Sequence, residues 1–342
     1  MLNKEHNIFI TGSTGFLGGY IVRRLLKDGY KNIHCSHRET SNFVLVEEVK
    51  SQVNWHLGEL SDPVFVHERL QQMDVVIHAA ALVNSHAKEK AKIDDTNIAL
   101  TRHLVDQALD NNVKRFVHVS SVAALGMGEP GKMLHEQTEW KEDKRNTVYS
   151  ISKHYGEREV FRGFAEGMDV VVLNPSMILG AGRWKSSTVS IFNLVKNGLP
   201  YYPAGSVGIV DVRDVANSIA LALTNDQMIG RRFVISGENW THQRMSTELA
   251  KALNAKIPNK QMSPFLSSFV KKSLTLVERF GFRHDLISAE RIDYSNYSFN
   301  YDNSASIEVG MSYIPIMDTI NESAQLYLQS QKDNSSFGLL NI

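Results

Sequence analysis

The sequence is poor in cysteine, in net charge and in long apolar runs. Among 342 residues Cys35 is the only cysteine, so an internal disulfide is excluded and a reducing compartment is favoured. Because 37 basic residues balance 37 acidic ones, no long-range field would recruit nucleic acid or an anionic membrane. No apolar run approaches the roughly 20 residues of a membrane span. Residues 1–7 are polar and no signal peptide is visible, so we expect a cytoplasmic protein.

Nearly all-apolar strands alternate with helical segments through the first half of the chain. The predicted strands are 8–11, 32–37, 53–57, 75–78, 115–120, 170–173 and 232–236. The predicted helices are 18–28, 95–111, 149–166, 211–224 and 240–254. This alternation predicts an α/β fold with a doubly wound parallel sheet. Ligands of such sheets bind beyond the carboxyl ends of the strands.

The regular alternation of strand and helix patterns ends near Gly180. We predict a nucleotide-binding domain over 1–178 and a smaller, mostly helical substrate-binding part over 179–342, with 208–237 returning to the first domain. Residues 260–282 alternate apolar and basic side chains at helical spacing. This pattern favours a lid or substrate-domain helix over a membrane-surface helix. The tail after Lys332 is polar, and we expect it to be frayed.

A glycine-rich turn follows the first apolar run. Gly12 permits a sharp turn, Gly15 lets a pyrophosphate approach the backbone, and Gly18 lets the next helix pack closely on the strand. Amides at the start of that helix would point at the phosphates. The turn therefore predicts dinucleotide binding.

Tyr149 and Lys153 are four residues apart in a predicted helix, so their side chains share a face. An ammonium beside a phenol lowers the pKa of the phenol and prepares it to exchange a proton with a carbonyl or an alcohol. Ser121 follows a predicted strand, where a hydroxyl could bind a substrate oxygen or merely cap a turn. The order of glycine turn, strand-end serine and Y-x-x-x-K pair favours the catalytic interpretation.

These motifs resemble the extended short-chain dehydrogenases/reductases, whose fold is of the Rossmann type. Residues 11–18 match the T-G-x-x-G-F-L-G turn of that family, and residues 78–80 match the start of its H-x-A-A at the end of the fourth strand. Residues 58–60 stand at its G-D-L, Asn97 at its helical asparagine, and residues 210–216 resemble its V-H-V-x-D-V-A. The resemblance covers at least residues 8–240.

The resemblance implies a role for each matching residue. Tyr149 would be the acid/base, Lys153 would hold the nicotinamide ribose, and Ser121 would polarise the substrate carbonyl, with Ser120 as the less favoured alternative. Asn97 would support a proton-relay water. The implied cofactor-binding residues are Gly12, Thr14, Gly15, Phe16, Leu17, Gly18, Arg38, Glu59, Leu60, Ala79, Ala80, Ala81, Ser120, Tyr149, Lys153, Pro175 and Ser176. It also implies a homodimer, and no metal is expected.

The end of the second strand bears on the choice between NAD and NADP. The segment Cys35-Ser36-His37-Arg38 has no acid before Glu39, and Arg38 could pair with a 2′-phosphate. We therefore expect a preference for NADP, although Glu39 or Glu47 could neutralise Arg38.

Several reactions remain open within the family. The segment after Ser121 lacks the Thr-Asp-Glu run of the sugar-nucleotide dehydratases, which disfavours dehydration. The chain is more similar to the branch that contains dihydroflavonol-4-reductases, cinnamoyl-CoA reductases and 3β-hydroxysteroid dehydrogenases. One departure is Asn174-Pro175, where that branch commonly has Arg-Pro. An NADPH-dependent reductase of an apolar or ring-bearing carbonyl, or the reverse alcohol oxidation, is the favoured function. Its alternatives are a nucleotide-sugar epimerase, for which Arg183 and Arg213 could bind the diphosphate, and a non-catalytic cofactor-binding regulator. The predicted substrate pocket contains Met177, Trp184, Tyr201, Tyr202 and residues of 260–285.

Overall fold

The computed structural model describes residues 2–81, 90–129, 131–279, 292 and 294–342, with side chains throughout except at 90–96 and 276–279. Twelve strands lie in these ranges. They are β1 (Ile8–Thr11), β2 (Ile33–His37), β3 (Asn54–Leu57), β4 (Val75–His78), β5 (Arg115–Val119), β6 (Asp169–Pro175), β7 (Met177–Leu179), β8 (Tyr201–Tyr202), β9 (Ser206–Asp211), β10 (Arg231–Ile235), β11 (Glu238–Thr241) and β12 (Lys260–Gln261).

Seven of these strands form one parallel sheet in the order β10-β6-β5-β4-β1-β2-β3. Every neighbouring pair in it is parallel. The central strands β1, β4 and β5 are buried along their whole length, as their apolar sequences predict. The predicted doubly wound α/β fold is therefore confirmed, with strand ends within two residues of the predicted ones.

Helices cover both faces of this sheet. Those in the described residues are α1 (Phe16–Lys27), α2 (Pro63–Leu70), α3 (Lys90–Asp110), α4 (Val148–Ala165), α5 (Ser190–Lys196), α6 (Val212–Thr224), α7 (His242–Ala252), α8 (Pro264–Arg279), α9 (Ser304–Glu308) and α10 (Ile316–Lys332). One apolar core lies under α1 and α6, and another lies under α2, α3 and α4. The sheet is thus shielded from water on both faces, and its strand ends are left for ligands.

The second half of the chain adds a smaller layer beside the sheet. The strands β11, β9 and β7 form a three-stranded sheet, and β12 pairs with β8. A third core, around Trp184, Phe192 and Tyr327, joins α5, α7 and α10 to this layer. The predicted helix at 260–282 is observed only from Pro264, as α8. Lys260 and Gln261 form β12 instead, so the predicted start is wrong, and residues 280–282 lie outside the described residues.

The expectation of a frayed tail is wrong. The backbone N–H of Leu340 donates to the phenol oxygen of Tyr20 over 2.9 Å, and Leu340 is buried. Gly338 N–H donates to the carbonyl of Gly182 over 3.1 Å. The apolar residues 337–340 after the polar stretch provide the burial that holds this tail.

Candidate active site

The glycine turn forms a cradle that no larger residue could make. Gly12 has φ +73°, and a Cβ on it would lie 2.8 Å from the backbone nitrogen of Ala80. A Cβ on Gly18 would lie 2.0 Å from the carbonyl oxygen of Gly12. α1 begins at Phe16 with Gly15 as its N-cap and no side-chain cap. The first amides of α1 therefore face the cradle without intrahelical acceptors, as a pyrophosphate site requires.

The ends of β2, β3 and β4 lie side by side with this turn. Arg38 follows β2 on the surface, and its backbone N–H donates to Ser41 over 2.9 Å. Glu59 and Leu60 follow β3, where Gly58 N–H donates to the carbonyl of His37 over 3.0 Å. Residues 79–81 follow β4 and remain partly exposed. The structure thus gathers at one sheet edge the segments that the sequence predicts for the cofactor.

Arg38 has no ion pair within the described residues. Glu47 pairs instead with Lys50 over 3.8 Å, and the exposed Glu39 forms no ion pair in that part of the chain. The two acids named in the sequence as possible neutralisers therefore leave the guanidinium available. Ser36 is buried beneath this loop, whereas the ring of His37 packs edge-on against Phe43 at 5.1 Å between centroids.

Ser120 and Ser121 leave the end of β5. Ser120 is buried, and its backbone N–H donates to the carbonyl of Leu173 over 2.7 Å. The Ser121 hydroxyl accepts a hydrogen bond from Ala123 N–H over 3.2 Å and so caps a short 3₁₀ turn at 122–125. Capping uses an acceptor position of the hydroxyl and leaves its proton free to be donated to a substrate oxygen.

Tyr149 and Lys153 lie one turn apart near the start of α4. Thr147 caps this helix, accepting from Ser150 N–H over 3.0 Å. The Lys153 ammonium is buried and donates to the carbonyl oxygen of Val119 over 2.9 Å. Burial lowers the pKa of Lys153 to about 8, and the Glu157 carboxylate opposes that fall. The structure thus brings the predicted Y-x-x-x-K pair to the same strand end as Ser121.

Two buried histidines lie beneath Lys153. His78 and His118 have ring centroids 5.2 Å apart. Burial, together with the charge of Lys153, lowers the pKa of His78 to about 3 and that of His118 well below its usual value. Both rings are therefore neutral at pH 7, so they place no second positive charge near the ammonium.

The remaining predicted residues lie at the periphery of this cluster. Asn97 is in the second turn of α3, and its amide donates to the Ser152 hydroxyl over 3.3 Å. It therefore contacts α4 on the residue next to Lys153. Pro175 ends β6, and Ser176 N–H donates to the carbonyl of Ile235 over 3.0 Å.

The aromatic residues near Tyr149 differ from those of the predicted substrate pocket. Trp184 is buried against Phe192 and Tyr327, so its assignment to the pocket is wrong and it is a core residue. Tyr294, whose ring stacks on Phe299 at 4.4 Å, is missing from the prediction. Burial raises the pKa of Tyr294 to about 12, and the nearby phenol of Tyr149 contributes to the increase. No periodic pattern around Tyr294 could have identified it.

The sequence also gives no sign of the polar network beneath the site. The Asn174 amide donates to the carbonyl of Ser121 over 2.9 Å and to the carboxylate of Glu157. The guanidinium of Arg232, on β10, lies 3.2 Å from the other oxygen of Glu157. An amide of β6 and an arginine of the adjacent strand β10 thus hold the Glu157 carboxylate, and the same amide holds the Ser121 backbone.

Comparison with known proteins shows the family of this chain. Residues 8–236 match the model of the NAD dependent epimerase/dehydratase family. A putative dihydroflavonol 4-reductase of Synechocystis sp. is 25% identical over 93% of this chain and 94% of its own. A UDP-glucose 4-epimerase of Vibrio cholerae is 27% identical over 72% of this chain and 76% of its own.

Solved structures show the same fold. The crystal structure of gox2253 has a TM-score of 0.80 and 26% identity, over 95% of this chain and 98% of the other. The dTDP-glucose 4,6-dehydratase DesIV of Streptomyces venezuelae, solved with NAD, has a TM-score of 0.76 and 20% identity, over 95% and 98%. The family match and the relatives identify an NAD(P)-dependent enzyme of the extended short-chain dehydrogenase/reductase class. The chain belongs to the NAD dependent epimerase/dehydratase family.

No helix in the described ranges is both long and apolar enough to cross a membrane.

Proposed function

We propose that this protein is an NADPH-dependent reductase that reduces the carbonyl of an apolar or ring-bearing small molecule, or oxidises the corresponding alcohol. The observation that carries the proposal is the convergence of Ser121, Tyr149 and Lys153 at the end of β5, beside the glycine cradle. The relatives that are reductases support it, and the epimerase relatives define its main alternative.

The residues divide the chemistry between them. The bound cofactor supplies the hydride. Tyr149 transfers a proton to or from the substrate oxygen, and the Lys153 ammonium favours the phenolate that remains after protonation of the substrate. The Ser121 hydroxyl donates a hydrogen bond to the same oxygen and stabilises the charge that develops on it.

The cofactor preference follows from the surface at the end of β2. Arg38 lacks a carboxylate partner among the described residues, and a guanidinium can hold a 2′-phosphate with two parallel hydrogen bonds. A ribose diol would instead call for an acid at this position. Arg38 therefore favours NADP over NAD.

The class of substrate follows from the groups that remain available. The guanidinium of Arg213 lies 2.7 Å from both Asp211 and Glu322, so two carboxylates already satisfy it. This engagement disfavours its predicted alternative role in binding a sugar diphosphate. Tyr294 lies near Tyr149 and packs on Phe299, within a cluster of buried apolar side chains. Apolar surroundings of this kind suit an apolar or ring-bearing carbonyl.

The proposal is tested by mixing the purified protein and NADPH with a panel of aromatic, alicyclic and sterol-like carbonyls, with sugar nucleotides included. We expect NADPH consumption with at least one ring-bearing carbonyl and none with the sugar nucleotides. Epimerisation of a sugar nucleotide without net change in the cofactor would contradict the proposal and establish the alternative. A cytoplasmic homodimer, with the domain division at 178, remains the accompanying prediction.

A further inference from the structure

Glu157 is a buried acid directly beneath the proposed catalytic groups. It lies one turn after Lys153 on α4 and is only 2% exposed. Its carboxylate accepts from the Asn174 amide through one oxygen and lies 3.2 Å from Arg232 Nη1 through the other. A carboxylate buried to this extent is costly unless it is both paired and hydrogen-bonded, and this one is both.

The Arg232 guanidinium is fully engaged around this carboxylate. Its Nε donates to the carbonyl of Glu136 over 2.7 Å, and its Nη2 donates to the carbonyl of Thr138 over 3.2 Å. The Glu136 carboxylate in turn accepts from Val234 N–H over 2.7 Å. Arg232 therefore joins the loop at 134–138 to the face of α4 that carries Glu157.

The structure assigns to Glu157 the role of a positioning residue that places a buried carboxylate one helical turn from Lys153 and secures the backbone of Ser121 through Asn174, with Arg232 as its counter-ion. The importance of this role for catalysis rests on the proposed function. The contacts themselves do not depend on it.

The groups around Lys153 explain why the Glu157 carboxylate affects the pKa of the lysine. His78 on β4 and His118 on β5 face the lysine as neutral rings, and Tyr149 lies one turn before it on α4. Burial alone lowers the pKa of the lysine, and Glu157 is the carboxylate that raises it again. Burial raises the pKa of the Glu157 carboxyl, and the Arg232 guanidinium opposes that rise.

Asn174 extends the same network to Ser121. One amide nitrogen bonds both the Ser121 carbonyl oxygen and the Glu157 carboxylate, so the position of the serine backbone depends on the acid. Replacement of Glu157 by glutamine keeps the size of the side chain and an oxygen for Asn174 but removes the charge. This substitution therefore separates the electrostatic role from packing.

The test is an NMR titration of protein labelled with ¹³C at lysine Cε, in which the Lys153 signal is assigned by its loss in Lys153→Met. We expect Glu157→Gln to lower the titration midpoint of Lys153 by about one pH unit or more, because removing an opposite charge at this range has that effect. Glu159→Gln is the matched control. Glu159 is on the same helix and pairs with Arg102 and Arg162, away from Lys153, so the midpoint should not move.

An unchanged Lys153 midpoint in folded Glu157→Gln, or an equal change in Glu159→Gln, would overturn the assignment. Where Glu157→Gln fails to fold, Glu157→Asp serves instead: its retracted charge should lower the midpoint by a smaller amount, and an unchanged midpoint would again overturn the assignment. The titration needs no substrate. Failure of the carbonyl panel would therefore remove the proposed function and leave this result intact.

Discussion

The Lys153 ammonium donates a hydrogen bond to the carbonyl oxygen of Val119, 2.9 Å away, and this contact joins α4 to the carboxyl end of β5. The lysine is otherwise surrounded by buried groups, and burial disfavours its charged form. An ammonium buried there has lost its hydration, so it lowers the stability of the folded protein. Such a cost is common for residues that serve catalysis.

Replacement of Lys153 by methionine should therefore stabilise the protein at pH 7. Folded Lys153 loses its proton near pH 8, whereas an unfolded lysine does so near 10.5. Since the unfolded chain binds the extra proton between these values, wild-type stability rises with pH across that window. We expect Lys153→Met to gain about 1–3 kcal/mol at pH 7 and less at pH 9.5, measured by urea unfolding. A gain that does not shrink with pH would contradict the explanation.

Arg38→Ala should weaken binding of NADPH and leave binding of NADH unchanged. The loss of hydrogen bonds to a charged phosphate costs about 1.5–3 kcal/mol, which corresponds to roughly a 10- to 100-fold rise in Kd. Fluorescence titration of both cofactors measures it. Arg102→Ala, which removes a surface guanidinium paired with Glu159, should change neither affinity. Equal NADPH affinity in Arg38→Ala and the wild type would remove the 2′-phosphate role.

Arg232→Met should leave Glu157 as an uncompensated buried carboxylate. Breaking such a pair costs about 3 kcal/mol. Burial already raises the pKa of Glu157, and loss of Arg232 raises it further, so the acid form relieves the cost at low pH. The loss of stability should thus be larger at pH 8 than at pH 5. The double variant Arg232→Met/Glu157→Gln should recover part of it, and an equal loss in the single and double variants would argue against a charge pair.

Gly18→Ala should damage the cofactor cradle, because the new Cβ would lie 2.0 Å from the carbonyl oxygen of Gly12. We expect at least about a tenfold loss of NADPH affinity, the equivalent of about 1.4 kcal/mol, measured by the same titration. Gly156→Ala is the control, since its Cβ would lie 3.6 Å from the nearest atom, Thr101 Oγ1. In the interior of α4 that change should stabilise the protein by about 0.5–1 kcal/mol. An unchanged NADPH affinity in Gly18→Ala would show that the turn can accommodate a Cβ at this position.

Local sequence signals were sufficient for the main sheet and for the glycine turn at its edge. Apolar strands that alternate with helices predict a parallel sheet, and Gly12, Gly15 and Gly18 mark its first turn. The pair Tyr149 and Lys153 could be predicted because a fixed four-residue spacing places both on one helix face. In these cases the information lies within a few consecutive residues.

Contacts between distant segments could not be predicted in this way. Arg232 reaches Glu157 only because β10 lies next to β6, a neighbour relation that no local pattern encodes. Trp184 appears equally suitable for a pocket or for a core until Phe192 and Tyr327 are seen to enclose it. The prediction of a frayed tail is wrong because the polar stretch after Lys332 gives no sign of the hydrogen bond from Leu340 N–H to the phenol of Tyr20.

Tyr149 is the proposed proton-transferring group, and the decisive measurement is the rate of NADPH consumption by Tyr149→Phe on an accepted carbonyl. Tyr155→Phe is the matched control, since Tyr155 is on the same helix and its phenol donates to Glu142 over 3.4 Å. We expect a rate reduced by about 10²- to 10⁴-fold in Tyr149→Phe, with the Kd for NADPH nearly unchanged and Tyr155→Phe at the wild-type rate. A wild-type rate in Tyr149→Phe would show that this phenol does not transfer the proton.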